Sequence, residues 1–182
     1  SEVEDVVRKI KEILERLKKE VDDVLDRNRK LLEELKKRAD EVLKRNKDLL
    51  ETLKREADRD GKDEDVVRRA RKILKELRDH SKKVVEDMER ILEESKKHSE
   101  DAVRRLREIV KRLAEEVDEV TKRGVDKDEL KRLLDELREI VKEAEERLRK
   151  SDEDLERIIR EVKKRLKESN EELERTIREV ER

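Results

Sequence analysis

The stretch VDDVLDRNRKLLEELKKR, residues 21–38, is followed by ADEVLKRNKDLLETLKRE, residues 39–56. Laid one over the other, their apolar residues coincide. Val21, Val24, Leu25, Leu31, Leu32 and Leu35 become Ala39, Val42, Leu43, Leu49, Leu50 and Leu53, and Asn28 becomes Asn46. A shift of seven residues fails within two repeats. The repeat is therefore eighteen residues, five turns of an α-helix at about 3.6 residues per turn. Its apolar stripe runs straight along the helix, whereas a heptad stripe drifts and forces a left-handed supercoil. The stripe covers an arc of roughly 120°, the width a helix needs to touch two neighbours.

The same repeat continues to the end of the chain. HSKKVVEDMERILEESKK lies over HSEDAVRRLREIVKRLAE, and over KDEDVVRRARKILKELRD before it. Further on, LKRLLDELREIVKEAEER lies over LRKSDEDLERIIREVKKR and LKESNEELERTIREVER. In that last series Leu133 and Leu134 give way to Ser151 and Asp152, then to Ser169 and Asn170.

Two places break the periodicity. In DRDGKDED, Gly61 reads as the residue that ends a helix and Asp63 as the N-cap of the next. In KRGVDKDEL, Gly124 supplies the positive φ that closes a helix. Asp126 and Glu129 then form a capping box, and Val125 and Leu130 a hydrophobic staple. Ser1 and Glu4 repeat the box at the start. Three helices are expected, over about 2–59, 64–122 and 127–181, each on the order of 85 Å long at 1.5 Å per residue. Connections this short make successive helices antiparallel neighbours. The expected fold is all-α: an elongated, nearly untwisted antiparallel three-helix bundle, with residues 1–182 as one domain.

Composition narrows the function. The chain is 60% charged and 31% hydrophobic, with no Phe, Trp, Tyr, Cys or Pro, and its net charge is -1. Disorder needs fewer bulky apolar residues and usually a larger net charge. Nucleic-acid binders gather Lys and Arg on one face. Here the two signs alternate within almost every turn, as a solvated surface of short-range ion pairs does. No apolar run reads as a membrane span or a signal-peptide core. Without Cys there is no disulfide and no thiolate chemistry. No Gly-rich phosphate loop, HExxH or oxyanion turn occurs, and no enzymatic activity or cofactor is expected. The chain is expected to be soluble.

What remains is the polar residues in the stripe. Folding the chain at its two turns brings Asn28 level with His98 and Asn46 level with His80. It also sets His98 by Ser151 and His80 by Ser169. Two buried polar layers are expected, about 27 Å apart at 1.5 Å per residue. One holds Asn28, His98, Ser99, Ser151 and Asp152; the other holds Asn46, His80, Ser81, Ser169 and Asn170. Ser95 and Thr176 also replace apolar stripe residues and extend the networks. Buried polar groups cost stability unless hydrogen-bonded, and Asn, Ser and neutral His can satisfy one another. A helix slipped by one turn would set Asn against Leu, so the layers fix register, as a core Asn does in a coiled coil.

Three readings of His80 and His98 stay open: neutral members of the layers, a pH switch, or metal ligands. One His with at most one carboxylate per layer is short of a zinc donor set. Buried neutral, His80 would make stability fall as pH drops through about 6.5, whereas His98 paired with Asp152 would tolerate mild acid. Ser81 beside His80 suggests a nucleophile and base, but a dry, filled layer leaves no room for a substrate.

The capped Gly loops, the eighteen-residue repeat and the Asn28/His98 and Asn46/His80 sets together resemble computationally designed, parametric helical bundles with buried hydrogen-bond networks. The chain is also similar to designed pH-responsive bundles, whose buried His networks protonate and disrupt packing. It departs from those in having one His per layer of a single chain. Natural spectrin-like three-helix repeats are the rival, but they are shorter, supercoiled and usually anchored by Trp. The resemblance implies a hyperstable scaffold with no native activity and no required partner, nucleic acid or membrane. A monomer is favoured by the stripe width. The alternative is a pH-responsive bundle or a subunit of a designed oligomer.

Overall fold

The structure is a computed structural model and describes residues 2–60, 64–124 and 128–182. The described residues form three helices: α1, Glu2–Asp60; α2, Glu64–Lys122; and α3, Asp128–Glu181. Each boundary falls within a residue of the one read from the repeat and its turns. Glu2, Glu4 and Asp5 open α1, Glu64 and Asp65 open α2, and Asp128 and Glu129 open α3. Arg59, Lys122 and Arg178 stand in the last turns. This arrangement sets charges against the opposite ends of each helix dipole.

The end of α2 shows how a helix is stopped here. Arg123 N donates to Val120 O and Gly124 N to Thr121 O, both at 3.2 Å, tightening the last turn. Gly124 then takes φ 84°, the left-handed region closed to most L-residues. The expected capping roles of Ser1, Gly61, Asp63, Val125 and Asp126 lie outside the described residues. Leu130, the staple partner expected for Val125, is buried.

The chain divides into two compact units, residues 1–29 with 93–154 and residues 30–92 with 155–182. In each, segments of all three helices pack as a three-helix bundle. Within the first unit Glu2 meets Arg123 at 2.5 Å and Lys9 meets Glu116 at 3.1 Å, so α2 runs antiparallel to α1. Asp22 meets Arg147 at 3.5 Å, which sets α3 alongside α1. The core of this unit includes Ile10, Leu17, Leu106, Leu113, Leu130 and Leu137. In the second unit Arg38 joins Asp87 at 3.0 Å, while Arg71 and Glu89 join Glu181 and Lys163 on α3. Its core has two parts. One gathers Leu35, Val42, Val84, Met88 and Leu166. The other gathers Leu53, Leu74, Leu77, Leu173 and Ile177.

Apolar burial supplies the stabilisation, at about 25 cal/mol per Å² of apolar surface removed from water. The charged faces add little, because most of the ion pairs are exposed and such pairs are typically worth under about 1 kcal/mol.

Candidate functional site: two buried polar layers

In the second unit the apolar core is interrupted between its two parts. Asn46, only 1% exposed, reaches from α1 to α3. Its Nδ2 donates to Ser169 Oγ at 2.8 Å and to Asn170 Oδ1 at 2.9 Å. Asn170 Nδ2 in turn donates to Ser81 Oγ on α2 at 3.5 Å. Ser81 directs its own proton back to Leu77 O at 2.8 Å. All three helices are thereby joined through polar side chains.

The first unit repeats the scheme with one change. Asn28 Nδ2 donates to Ser151 Oγ at 3.0 Å, again from α1 to α3. Both Asn–Ser bonds join residues 123 apart in the chain, so the same offset between α1 and α3 holds in each unit. Asp152 stands where the other layer has Asn170, and it is buried to 9% exposure. An ionised carboxylate offers acceptors only. The donor it needs comes from Ser95 Oγ at 2.8 Å, which also lies 3.2 Å from Asn28 Oδ1. In the other layer the α2 position equivalent to Ser95 is Leu77. The hydroxyl is present where the partner is a carboxylate and absent where the partner is an amide.

The histidines are not in the layers. His80 and His98 are both exposed, and their neighbours Ser81 and Ser99 are buried. The reason is angular. Successive residues of a helix are about 100° apart; Ser151–Asp152 and Ser169–Asn170 straddle their stripe on α3, but on α2 only one member of each His-Ser pair stands at the centre. The serine takes it. The repeat carried the signal: the serine column continues into Val117, whereas the histidine column has Lys62 before it and Glu116 after it. The expected contact of His98 with Asp152 is made by Ser95 instead. With exposed rings, protonation places no charge in the core, and neither the neutral-layer reading nor the buried switch describes these residues.

Of the remaining expected members, hydrogen bonds join Asn28 with Ser151, Asn46 with Ser169 and Asn170, and Asn170 with Ser81, while Asp152 is reached through Ser95. Ser99 is buried, but its hydroxyl has no hydrogen-bond partner, and Asn46 Oδ1 is likewise buried without one. Thr176 bonds the carbonyl of Glu172 at 3.0 Å rather than joining a layer.

Charge adds a second set of specific contacts. Asp87 accepts from Arg38 at 3.0 Å and from Arg90 at 3.1 Å. The Arg38 hydrogen bond holds the Asp87 carboxyl below its ordinary range, against the opposing effect of burial. Glu174 is held low by the guanidinium of Arg78, with Arg178 contributing from the next turn. Arg107 grips Glu145 with two bonds, at 2.6 and 3.0 Å, which hold its proton more firmly than usual. Among the described residues no group of three or more His, Asp or Glu side chains is placed to hold a metal ion. Among them, no helix is long and apolar enough to cross a membrane.

No protein-family model matches the chain, and no curated protein matches it. Among solved structures it is similar to a chain described as a "Computationally designed three helix bundle". The two share 19% identity over 98% of this chain and 90% of that one, with a TM-score of 0.49.

Proposed function

We propose that the chain is a designed structural scaffold whose two polar layers fix the register of its helices, and that it carries no native biochemical activity. The observation that carries this reading is that the repeat also contains an apolar version of the same layer. One repeat from Asn28, Ser99, Ser151 and Asp152 stand Ile10, Val117, Leu133 and Leu134, all buried in the core of the first unit. Apolar side chains thus fill this level of the bundle by themselves. Replacing hydrogen-bonded polar groups by apolar ones of similar shape is often neutral or stabilising. What the polar layers add is intolerance of slippage, because a one-turn shift of about 5.4 Å buries unpaired Asn and Ser groups.

The scaffold acts as a monomer that needs no partner. In support, Ile73, 40% exposed, is the one large hydrophobic residue on the surface among those described. The exposed histidines withdraw the support for an acid-dissociating subunit.

Spin labels on Lys47 and Glu171, both exposed and at one level of α1 and α3, test the register role. The native chain gives one narrow distance. Asn46→Ile, Ser81→Val, Ser169→Leu and Asn170→Leu together copy the apolar layer and yield a broadened or second distance, with no loss of stability. The native narrow distance persisting in that variant would remove the register role. A mass by light scattering near 22.1 kDa checks the monomer.

A further inference from the structure

Counting protons in the first layer leads beyond register. Ser95 Oγ lies within hydrogen-bond distance of two acceptors, Asn28 Oδ1 at 3.2 Å and Asp152 Oδ1 at 2.8 Å. A hydroxyl has one proton and can donate to only one of them. Both contacts are hydrogen bonds only if another group supplies a proton, and there are two ways to supply it.

In the first, Asp152 is protonated. Asp152 donates to Ser95, Ser95 donates to Asn28 Oδ1, and Asn28 Nδ2 donates to Ser151 Oγ. In the second, Asp152 is ionised and the Asn28 amide is turned by half a revolution. Ser151 then donates to Asn28 Oδ1, Asn28 Nδ2 donates to Ser95 Oγ, and Ser95 donates to Asp152. The two ends of an amide are nearly the same size, so the same heavy-atom positions serve both chains. An ionised Asp152 with the amide unturned leaves two acceptors competing for one proton inside the core.

We propose that the layer Ser151–Asn28–Ser95–Asp152 is a proton-operated relay, in which binding of one proton to Asp152 reverses the direction of every hydrogen bond and turns the Asn28 amide. The proton comes from solvent, to which Asp152 keeps 9% exposure. It settles on Asp152 Oδ1. The Ser95 proton swings from Asp152 to Asn28, and the Ser151 proton is released from Asn28. No heavy atom needs to move apart from the exchange of the two amide ends.

The group that meets Asp152 from another element is uncharged: Ser95 on α2, which in turn meets Asn28 on α1. Charged neighbours stand outside the layer. On α1 Asp26 pairs with Arg29, and on α2 Lys96 and His98 are exposed. On α3 Arg149 pairs with Glu153, and Asp154 and Glu156 are half-buried. The layer in the second unit cannot work this way, since Asn170 and Asn46 do not titrate near neutral or acid pH.

The test is an NMR titration of the intact chain, following the Asp152 carboxyl carbon and the side-chain amide signals of Asn28 and Asn46. The expected result is that the Asn28 amide signals shift with the same midpoint as Asp152 while those of Asn46 do not. Asp152→Asn, which copies the amide already accommodated at Asn170, abolishes the Asn28 response. Ser95→Ala leaves Asp152 titrating with Asn28 unmoved. If Asn28 stays constant while Asp152 titrates, if its response survives in Asp152→Asn, or if Asp152 does not titrate while the chain is folded, the relay is overturned. The wild-type measurement decides the matter even if Ser95→Ala fails to fold.

Discussion

Ser95 and Asp152 are a matched pair: the hydroxyl meets the carboxylate at 2.8 Å, and one repeat away the corresponding positions are Leu77 and Asn170. The two residues sit on different helices, yet they change together. A buried carboxylate without a donor leaves an unsatisfied charge, whereas an amide brings its own donors and tolerates an apolar neighbour.

The match predicts strong coupling. Ser95→Leu alone strands Asp152 and costs about 1–3 kcal/mol, the typical penalty for an unsatisfied buried acceptor. Ser95→Leu with Asp152→Asn reproduces the composition of the other layer and restores stability. It also offers Ser99, whose hydroxyl now lacks a partner, an amide like the one that Asn170 gives Ser81. Guanidinium unfolding midpoints of the two single variants and the double variant check this. An additive result, with the double no better than the sum of the singles, would count against the pairing.

His80→Asn and His98→Asn are expected to be nearly silent. Both rings are exposed, and surface substitutions of this kind stay within about 0.5 kcal/mol. The unfolding midpoint of the double histidine variant is expected to match that of the native chain. A clear fall in the double variant would show that the rings meet the core in solution.

Most of the fold is legible in the sequence because it is written redundantly. The helix limits follow from Gly124, the missing periodicity at Gly61 and the repeat itself. Asn28 and Asn46, or Ser151 and Ser169, announce the layers by standing where Ile10 and Leu133 set the apolar pattern. The histidines mislead because a residue beside a stripe differs from one within it by a single position. Only the neighbouring repeats, with Val117 under the serine and Glu116 under the histidine, separate the two. Ser95 is legible as a stripe residue that extends the first layer, as its bonds to Asn28 and Asp152 bear out, but its pairing with Asp152 is not. Its partner Asp152 is on α3, and which stripe residues meet across helices depends on packing that a periodicity does not contain.

Sensitivity to acid is expected from carboxylates rather than imidazoles. Asp87 and Glu174, both in the second unit, are held below the ordinary values of 3.8 and 4.5 by Arg38 and Arg78. The unfolded chain therefore binds protons first as pH falls. The stabilisation is fully present above the ordinary values and is lost as pH drops through the lower folded ones. Unfolding midpoints measured from pH 6 down to pH 2 are expected to hold until about pH 4.5 and then decline. Asp87→Asn and Glu174→Gln flatten that decline. A decline just as steep in the double variant would place the acid-sensitive groups elsewhere.

Gly124 separates backbone strain from steric crowding. Its φ of 84° lies in the left-handed region, and a Cβ built there meets nothing within 4 Å. Substitution therefore costs conformational energy alone. Gly124→Ala is expected to lower stability by about 1–2 kcal/mol, the cost of holding an L-residue left-handed. Gly124→Asn should cost less, since Asn enters that region more readily. The order Gly, Asn, Ala in unfolding midpoint is the result to look for. If Ala matched Gly, the helix end would have to relax to negative φ without loss, and the tight bonds from Arg123 and Gly124 to Val120 and Thr121 would not be what stops α2.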